Sequence, residues 1–574
     1  MLPALALLAL SCGGGGAAPA GAPGPAAEAA AETDFDKAAD AFYTRWLELA
    51  PTFAASLGFH QHDGKLPDVS ARALGAQVEW LRREQAAFEA IAPDQLDKQT
   101  AVEREVILAT IRGQLFDLDV ARWPMVNPMY YVPRLALTDY ISRDYAPLEQ
   151  RARGVIGICN GAKAYLDSAR ANLPEAMPRT WIETALLQVN GMIDFAYKDV
   201  VEALATLEND DLSTEVGESL LAYSGALTAY REFLTARMAS ATDDYALGPE
   251  RFARMLADKE GVAVDLARLE QIGKADLDRN LAAMEAVARE MDAKRPVAEV
   301  VARARQDKPA PSRVLAEATA QAVAMRKLLV EKDLVTIPTE DVAEVRPSPP
   351  FMRWNSAFLS SPGVFEEKPL PAFYYISPPD PKWPKKEQRA YIPFRGDLLY
   401  TTVHELWPGH FLHGLHIKRN RSRILKSFCS YSSVEGWAHY TEEMMHEMGA
   451  SGSDPRMAIG QLTDALTRNV RYMSAVGLHT KGMKVEESIA MFEEKAFAEK
   501  PTARQQAVRG TFDPGYLNYT LGKLMVMKLR DDWKAVKGAA FSLKAFHDEF
   551  LSYGCAPVPV IRRAMLGPEA GPAL

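Results

Sequence analysis

The chain has 574 residues, 48% of them hydrophobic and 25% charged, which is typical of soluble globular proteins large enough for more than one folding unit. The formal net charge is −9, and acidic and basic residues are interleaved without a basic stripe. This charge pattern argues against nucleic acid as a partner.

The amino terminus resembles an export signal. Residues 1–12, MLPALALLALSC, form an apolar run that is too short to span a bilayer and is typical of a secretory signal. The run ends in Ser11-Cys12, which resembles a lipoprotein processing site with Cys12 as the lipidated residue. Residues 13–33 are rich in Gly, Ala and Pro and predict a flexible tether. An unlipidated signal or a disordered tail is the alternative. We therefore expect an exported protein, periplasmic or anchored to the outer membrane through Cys12 alone.

Beyond Cys12 the cysteines are Cys159, Cys429 and Cys555. Three scattered cysteines make neither a disulfide framework nor a metal knuckle. At most one bridge is possible, and we expect buried free thiols.

Residues 34–336 predict an amino-terminal helical lobe. Apolar residues recur at spacings of three and four, as in VEWLRREQAAFEAI. His60 and His62 stand in a loop-like stretch. The pair could bind a metal ion, but a surface or supporting role is favoured.

Residues 337–574 predict the catalytic part of a mainly α protein. Prolines crowd residues 337–397, exclude continuous helix and favour a small β insertion. The best strand candidate is AFYYIS, Ala372–Ser377, which is aromatic and bounded by prolines. Helix resumes from Leu398.

The stretch HELWPGH, His404–His410, begins like the zinc-peptidase signature H-E-x-x-H, but its histidines are six residues apart instead of four. In an ideal helix, side chains at that spacing point in widely different directions. Pro408 and Gly409 stand between them, and both residue types end or distort helices. We therefore predict that the helix breaks and that His410 returns beside His404. Glu405 is then the general base for the attacking water.

A third ligand is expected on a second helix. The segment SSVEGWAHYTEEMMHEMG is strongly helical, and Glu435 near its start lies 25 residues after His410, which leaves room for a loop and a return. His439 and Glu442 follow on the same face, where they could hold the other nitrogen of a ligand histidine.

Two other metal sites are conceivable. His410, His413 and His416 could bind a metal among themselves. Glu443 and His446 form an E-x-x-H pair, but a di-iron bundle requires a second such pair with suitable neighbours. Spacing alone favours the zinc hydrolase.

With these residues in view, the chain resembles the bacterial family of unknown function called DUF885. Two departures occur: His413 stands where the family often has Gln, and His439 where it often has Leu. Neither removes a predicted ligand or the base. The resemblance covers nearly the whole chain after the tether and is carried by HELWPGH, EGWAHY, ASLGFHQHDGKLPD, GLHTKGMKVEESI, DPGYLNYTLGKLMVMKLR and FHDEFLSYGCAPVPVI.

The resemblance implies a two-lobed, zincin-like helical body with a deep central groove, similar to the gluzincin peptidases grouped with angiotensin-converting enzyme. It assigns one Zn2+ ion to His404, His410 and Glu435, with Glu405 as base. In those peptidases an edge strand beside the zinc helix pairs with the substrate, and AFYYIS, with Tyr375, is placed for that role.

The same resemblance suggests groups that contact the substrate. Tyr519 in PGYLNYTLG stands at the family's tyrosine and is expected to donate a hydrogen bond to the oxyanion, with Tyr516 as the alternative. His479 is a second candidate donor, and core packing is the alternative for each. Arg509 could clamp a peptide carboxylate, unless it forms a surface salt bridge.

We therefore predict a zinc metallopeptidase that cleaves short peptides. A metal-dependent amidase for a non-peptide or cell-wall substrate is a second hypothesis. A non-catalytic lipoprotein that keeps zinc for structure is a third, and the presence of Glu405 argues against it. Exo- or endopeptidase action, side-chain preference and oligomeric state do not follow from the sequence.

Overall fold

The computed structural model describes residues 33–349, 352–353 and 356–574. The predicted signal segment, Cys12 and the tether up to residue 32 lie outside the described residues. The first helix begins directly after Thr33, whose side chain and that of Asp36 satisfy each other's backbone N–H groups in a capping box.

The part before residue 337 is helical, as predicted. Side-chain oxygens cap several of its helices, for example Asn209 before α10 and Asp265 before α12. The α-helices are α1 Asp34–Leu49, α2 Pro51–Ser56, α3 Ala71–Glu89, α4 Lys98–Leu115, α5 Trp123–Val126, α6 Thr138–Ser142, α7 Leu148–Asn172, α8 Arg179–Phe195, α9 Val201–Leu204, α10 Asp210–Arg237, α11 Pro249–Glu260, α12 Leu266–Asp292, α13 Val297–Ala304 and α14 Val314–Glu331. Two π-helical segments, Phe116–Val120 and Ala196–Val200, follow α4 and α8.

The proline-rich segment holds the predicted small β insertion, which is a three-stranded sheet. The strands are β1 Glu344–Pro347, β2 Ala357–Ser360 and β3 Phe373–Ile376. The order is β1-β3-β2, with β1 parallel and β2 antiparallel to β3. The expectation that AFYYIS is an edge strand is therefore wrong: β3 is the buried central strand, and β2 is an edge.

Helices resume after the sheet. They are α15 Lys385–Tyr391, α16 Arg395–Glu405, α17 His410–Arg419, α18 Arg423–Ser427, α19 Tyr431–Glu447, α20 Pro455–Thr480, α21 Val485–Lys495, α22 Lys500–Phe512, α23 Asn518–Lys537, α24 Leu543–Ser552 and α25 Val558–Leu566. The class is thus mainly α with a small sheet before α16. Helix α19 packs along α23, and α20 packs against α12 and α16.

The largest apolar cluster runs through both predicted parts of the chain, from Phe35 to Ile561. The division near residue 337 remains a prediction. Within the described residues, no helix combines the length and apolar character that a membrane crossing requires.

The cysteine expectation is wrong for two of the three residues. Cys429 and Cys555 form a disulfide, whereas Cys159 is a buried free thiol. The backbone N–H of Ser430 donates to the Cys555 carbonyl oxygen at 2.9 Å, which brings the two segments together. Because 126 residues separate the pair, no local pattern in the sequence indicates it.

Candidate metal centre

The helix break inside HELWPGH is present as predicted. Helix α16 ends at Glu405, and α17 begins at His410 with Gly409 as its N-cap. The Gly409 N–H donates to the Val403 carbonyl oxygen at 3.1 Å. A Cβ atom on Gly409 would lie 1.8 Å from the His404 carbonyl oxygen, so this turn requires glycine. It brings the His404 and His410 rings to a centroid distance of 4.6 Å.

The three predicted ligands meet at one point. Glu435 projects from α19, and its Oε2 lies 3.3 Å from Nε2 of His404 and 3.3 Å from Nε2 of His410. The ligand atoms of all three residues lie within 4.8 Å of one another. Within the described part of the chain, no other His, Cys, Asp or Glu residues form a group of three or more at metal-binding distances.

The donor atoms fit a divalent cation. Glu435 Oε2 is buried and lacks a hydrogen-bond partner in the described structure. Burial alone would raise the Glu435 pKa, but His410 and His404 hold it well below its usual value, so the carboxylate is charged. A buried anionic oxygen facing two imidazole nitrogens is costly unless a cation satisfies it. Two histidines and one glutamate are a ligand set typical of catalytic zinc.

Glu442 orients the first candidate ligand, His404. Its Oε1 lies 2.6 Å from His404 Nδ1, which leaves His404 Nε2 to face Glu435. Arg468 Nη2 lies 3.0 Å from the same oxygen, and His439 Nδ1 lies 3.1 Å from Oε2. His439 therefore reaches the ligand only through Glu442. Burial lowers the pKa of His404, but the neighbouring Glu435 and Glu442 carboxylates raise it to about 9.

Arg468 was not predicted. It lies on α20, 33 positions after Glu435, and its role depends on how α20 packs against α16. Asp464, one turn earlier on the same helix, lies 3.5 Å from Arg468 Nη1. Burial raises the Asp464 pKa to about 7. A single arginine inside a helical sequence carries no local signal of either contact.

Glu405 lies between the metal centre and the sheet. Its Oε2 accepts a hydrogen bond from the Leu359 backbone N–H of β2 at 2.9 Å. Leu359 is paired in register with Tyr374 of β3, and this N–H points away from that partner. The outer edge of β2 therefore faces the predicted base.

Tyr519 lies beside the candidate ligand His404. Its ring stacks on His404 at a centroid distance of 6.3 Å and meets Tyr431 edge-on at 5.7 Å. Three guanidinium groups surround the ring, with Cζ atoms 5.6, 4.9 and 6.0 Å from its centroid for Arg468, Arg471 and Arg509.

Two predicted donors lie elsewhere. His479 Nε2 donates to the Gly510 carbonyl oxygen at 2.8 Å, and its Nδ1 accepts from the Leu247 N–H at 3.3 Å. Burial lowers the His479 pKa to about 4, so the ring is a neutral bridge between backbone segments. Tyr516 is completely buried in the main apolar cluster. Both His479 nitrogens are therefore occupied, whereas the role of Tyr516 as the alternative donor stays a prediction.

The two remaining substrate-binding predictions are also constrained. Arg509 is bound to Asp513 through Nε at 2.9 Å and donates through Nη2 to the Tyr431 hydroxyl at 3.0 Å. Tyr375 packs with Phe373 on the face of β3 away from Tyr374, and both edges of β3 are occupied by other strands. Tyr375 therefore cannot pair with a substrate backbone.

The other metal hypotheses are not supported. His413 and His416 bond to different backbone carbonyls, those of Gly554 at 3.0 Å and Thr336 at 2.8 Å. Glu443 binds Lys523 at 3.0 Å instead of a metal partner.

His446 of the E-x-x-H pair bonds to Ser451 Oγ at 2.8 Å.

His60 lies away from the centre. Its Nδ1 lies 3.2 Å from Asp63, and its Nε2 lies 3.2 Å from Glu366. His60 thus connects the loop after α2 with the segment after β2.

Two solved structures resemble the whole fold. One is a "putative lipoprotein of unknown function" from Shewanella oneidensis, with a TM-score of 0.79 and 23% identity over 93% of this chain and 100% of that chain. The other is a "putative lipoprotein" from Colwellia psychrerythraea, with a TM-score of 0.78 and 19% identity over 93% of this chain and 99% of that chain. At these identities the likeness shows a shared fold.

No curated protein matches the chain. One family model does, and it spans residues 51–565, from the start of α2 to the last turn of α25. The matched region includes the helix break, all three candidate ligands, Glu405 and Tyr519. The chain therefore belongs to the family of bacterial proteins of unknown function called DUF885.

Proposed function

We propose that the protein is a zinc-dependent hydrolase, and most specifically a metallopeptidase of short peptides. The proposal depends on one observation: the buried Glu435 Oε2 lies between two histidine nitrogens and has no hydrogen-bond partner in the described structure. Glu405 ends the same helix that carries His404. Zinc, when bound there, supplies a Lewis acid for the charge that develops on a carbonyl oxygen. His404, His410 and Glu435 would hold it.

The protein's own groups account for the proton transfers. Glu405 Oε2 is held by the Leu359 N–H, which leaves Oε1 to take a proton from the attacking water and return it to the leaving amine. The Tyr519 hydroxyl is the proposed donor to the oxyanion, because its ring lies against His404. A base held at a metal centre favours catalysis over a purely structural zinc site.

The outer edge of β2 is the proposed platform for the substrate. Among the described residues, β2 pairs with β3 on one side only, and its other side faces Glu405. A peptide that adds to this edge as an extended strand would have its backbone next to the base, Glu405. The proposal assigns to β2 the role that the sequence suggested for AFYYIS. The proposal includes a groove between two zincin-like lobes, which would admit short peptides more readily than folded proteins.

Export is proposed together with this activity. The amino-terminal segment resembles a lipoprotein signal, and the two similar structures are described as lipoproteins. The disulfide between Cys429 and Cys555 suits an oxidising compartment such as the periplasm. We propose an exported lipoprotein anchored through Cys12.

The test compares the full-length wild type with Glu405→Gln. Metal content is measured by elemental analysis, and cleavage of a mixed peptide library is followed by mass spectrometry. We expect about one zinc per chain in both proteins and a loss of cleavage of about 10²–10⁴-fold in the variant. Zinc in both without cleavage by the wild type would favour a non-peptide substrate or a binding role. No zinc in either protein after zinc is supplied would refute the metal centre.

A further inference from the structure

One cation beside the metal centre has no anionic partner. Arg468 is paired with Glu442, and Arg509 is paired with Asp513. Arg471, one turn after Arg468 on α20, forms no ion pair with any described residue. Its one side-chain bond runs from Nε to the neutral Gln506 Oε1 at 2.8 Å. Both terminal nitrogens of its guanidinium group therefore lack a protein partner within the described chain.

The surroundings of Arg471 favour an anion. Burial and the nearby Arg509 and Arg468 guanidinium groups lower its pKa, although an arginine stays protonated at neutral pH. Partly buried cations that are close together without a matching number of anions repel one another. A carboxylate bound there would relieve this repulsion, and two parallel N–H donors of a guanidinium group match its two oxygens.

The position of Arg471 relates it to the metal ligands. Its Cζ lies 4.9 Å from the centroid of the Tyr519 ring, and the same ring stacks on His404 at a centroid distance of 6.3 Å. One aromatic ring thus contacts both the guanidinium group and a candidate ligand. These two contacts place Cζ within about 11 Å of the His404 ring centroid. A peptide residue spans about 3.3–3.6 Å, and a carboxylate bound to the guanidinium group takes up about one such length, so about one or two residues remain beyond a carbonyl at the metal.

We propose that Arg471 binds a substrate carboxylate one or two residues beyond the scissile bond and so selects peptides that carry a carboxylate there. The inference rests on the proposed peptidase function and specifies its substrate class. The carboxylate is either the free carboxyl terminus or the side chain of Asp or Glu at that position. The first source makes the protein an exopeptidase that releases a terminal amino acid or dipeptide.

The first experiment uses the full-length protein and three sets of peptides that derive from one parent sequence without Asp or Glu in its last two positions. One set has a free carboxyl terminus, one is amidated, and one is amidated with Asp or Glu as either of its last two residues. We expect the wild type to cleave a carboxylate-bearing set with kcat/KM about 10- to 100-fold above the plain amide. Faster cleavage of the free acid identifies the carboxyl terminus as the group that Arg471 binds. Faster cleavage of the third set identifies an Asp or Glu side chain instead. Equal cleavage of all three sets would overturn the proposal.

Arg471→Gln assigns the effect to this residue. The variant should cleave all three sets at the wild-type rate for the plain amide, and Arg471→Lys should recover part of the preference through its charge. Arg456→Gln, at the start of the same helix, is the matched control and should keep the wild-type preference. A preference that survives in Arg471→Gln would overturn the assignment, with thermal melting used to verify that each variant is folded.

Binding separates this inference from the proposed activity. In the Glu405→Gln background, the zinc-loaded protein should bind the carboxylate-bearing peptide about 10- to 100-fold more tightly than the amide by calorimetry. Adding Arg471→Gln should remove that difference. This result supports the carboxylate site even if the wild type cleaves no peptide. Equal binding of acid and amide refutes the site even if cleavage occurs.

Discussion

Replacing Glu442 with glutamine should weaken zinc binding about 10- to 100-fold while the protein still folds. The Glu442 carboxylate accepts from His404 Nδ1 at 2.6 Å and from Arg468 at 3.0 Å through one oxygen, and it contacts His439 through the other. An amide has one acceptor oxygen and one donor nitrogen. The amide oxygen can keep the contacts with His404 and Arg468, but it carries no charge, so His404 loses the anionic partner that makes its Nε2 a stronger ligand.

The loss of stability can be separated from the loss of metal affinity. Glu442 is completely buried, and its removal leaves Arg468 with Asp464 alone at 3.5 Å. Breaking a buried ion pair in this way costs about 3–5 kcal/mol. The neighbouring Glu443 is a matched control because it is also buried, but it binds Lys523 and Arg279 on another side of α19.

Glu443→Gln should lose similar stability without losing zinc. Burial raises the Glu443 pKa, but Lys523 and Arg279 lower it to about 2, and a shift of this size corresponds to about 3 kcal/mol. The metal-free proteins are unfolded in urea to compare stability. Zinc affinity is then measured by competition with a chromophoric chelator. The reasoning is refuted if Glu442→Gln binds zinc like the wild type, or if Glu443→Gln loses as much affinity.

Three further predictions follow from other contacts. Burial lowers the pKa of His60, but its carboxylate partners outweigh burial and raise it to about 9. The protonated form therefore stabilises the fold by about 3 kcal/mol, fully so below about pH 6.5. This contribution disappears as the pH rises through 9. Wild-type Tm should fall over that window, and His60→Gln should flatten the profile. Alanine at both Cys429 and Cys555 should cost about 2–5 kcal/mol, and a reductant should then no longer lower Tm. Gly409→Ala should abolish stoichiometric zinc in elemental analysis, because its Cβ would overlap the His404 carbonyl oxygen at 1.8 Å.

The sequence predicted that His404, His410 and Glu435 would meet, because their signals are local or chemically distinctive. Pro408 and Gly409 indicate a helix break, and that break explains how His404 and His410 approach one another. Glu435 lies near the start of a strongly helical segment, far enough after His410 for the chain to form a loop and come back to the histidines. These inferences need only the covalent spacing and the preferences of the residue types, and the helix assignments for most of the chain depend on similar local patterns.

The sequence could not predict pairings between distant segments. AFYYIS was identified as a strand, but its central place depends on β1 and β2 arriving on either side. His479 has the chemistry of a donor, yet Gly510 and Leu247 occupy both of its nitrogens. The Cys429–Cys555 disulfide and the contact of Arg468 with Glu442 likewise join residues that only the tertiary packing brings together.

Helix α19 explains why the candidate centre can be preorganised. Glu435 and Glu442 lie two turns apart on the side that faces His404, whereas Glu443 faces Lys523 of α23. Two sets of charged contacts on different sides thus restrict both the rotation and the translation of the helix that carries Glu435. Because these contacts do not involve the metal, the ligand atoms are held together before a cation binds, and little of the binding free energy is needed to assemble them.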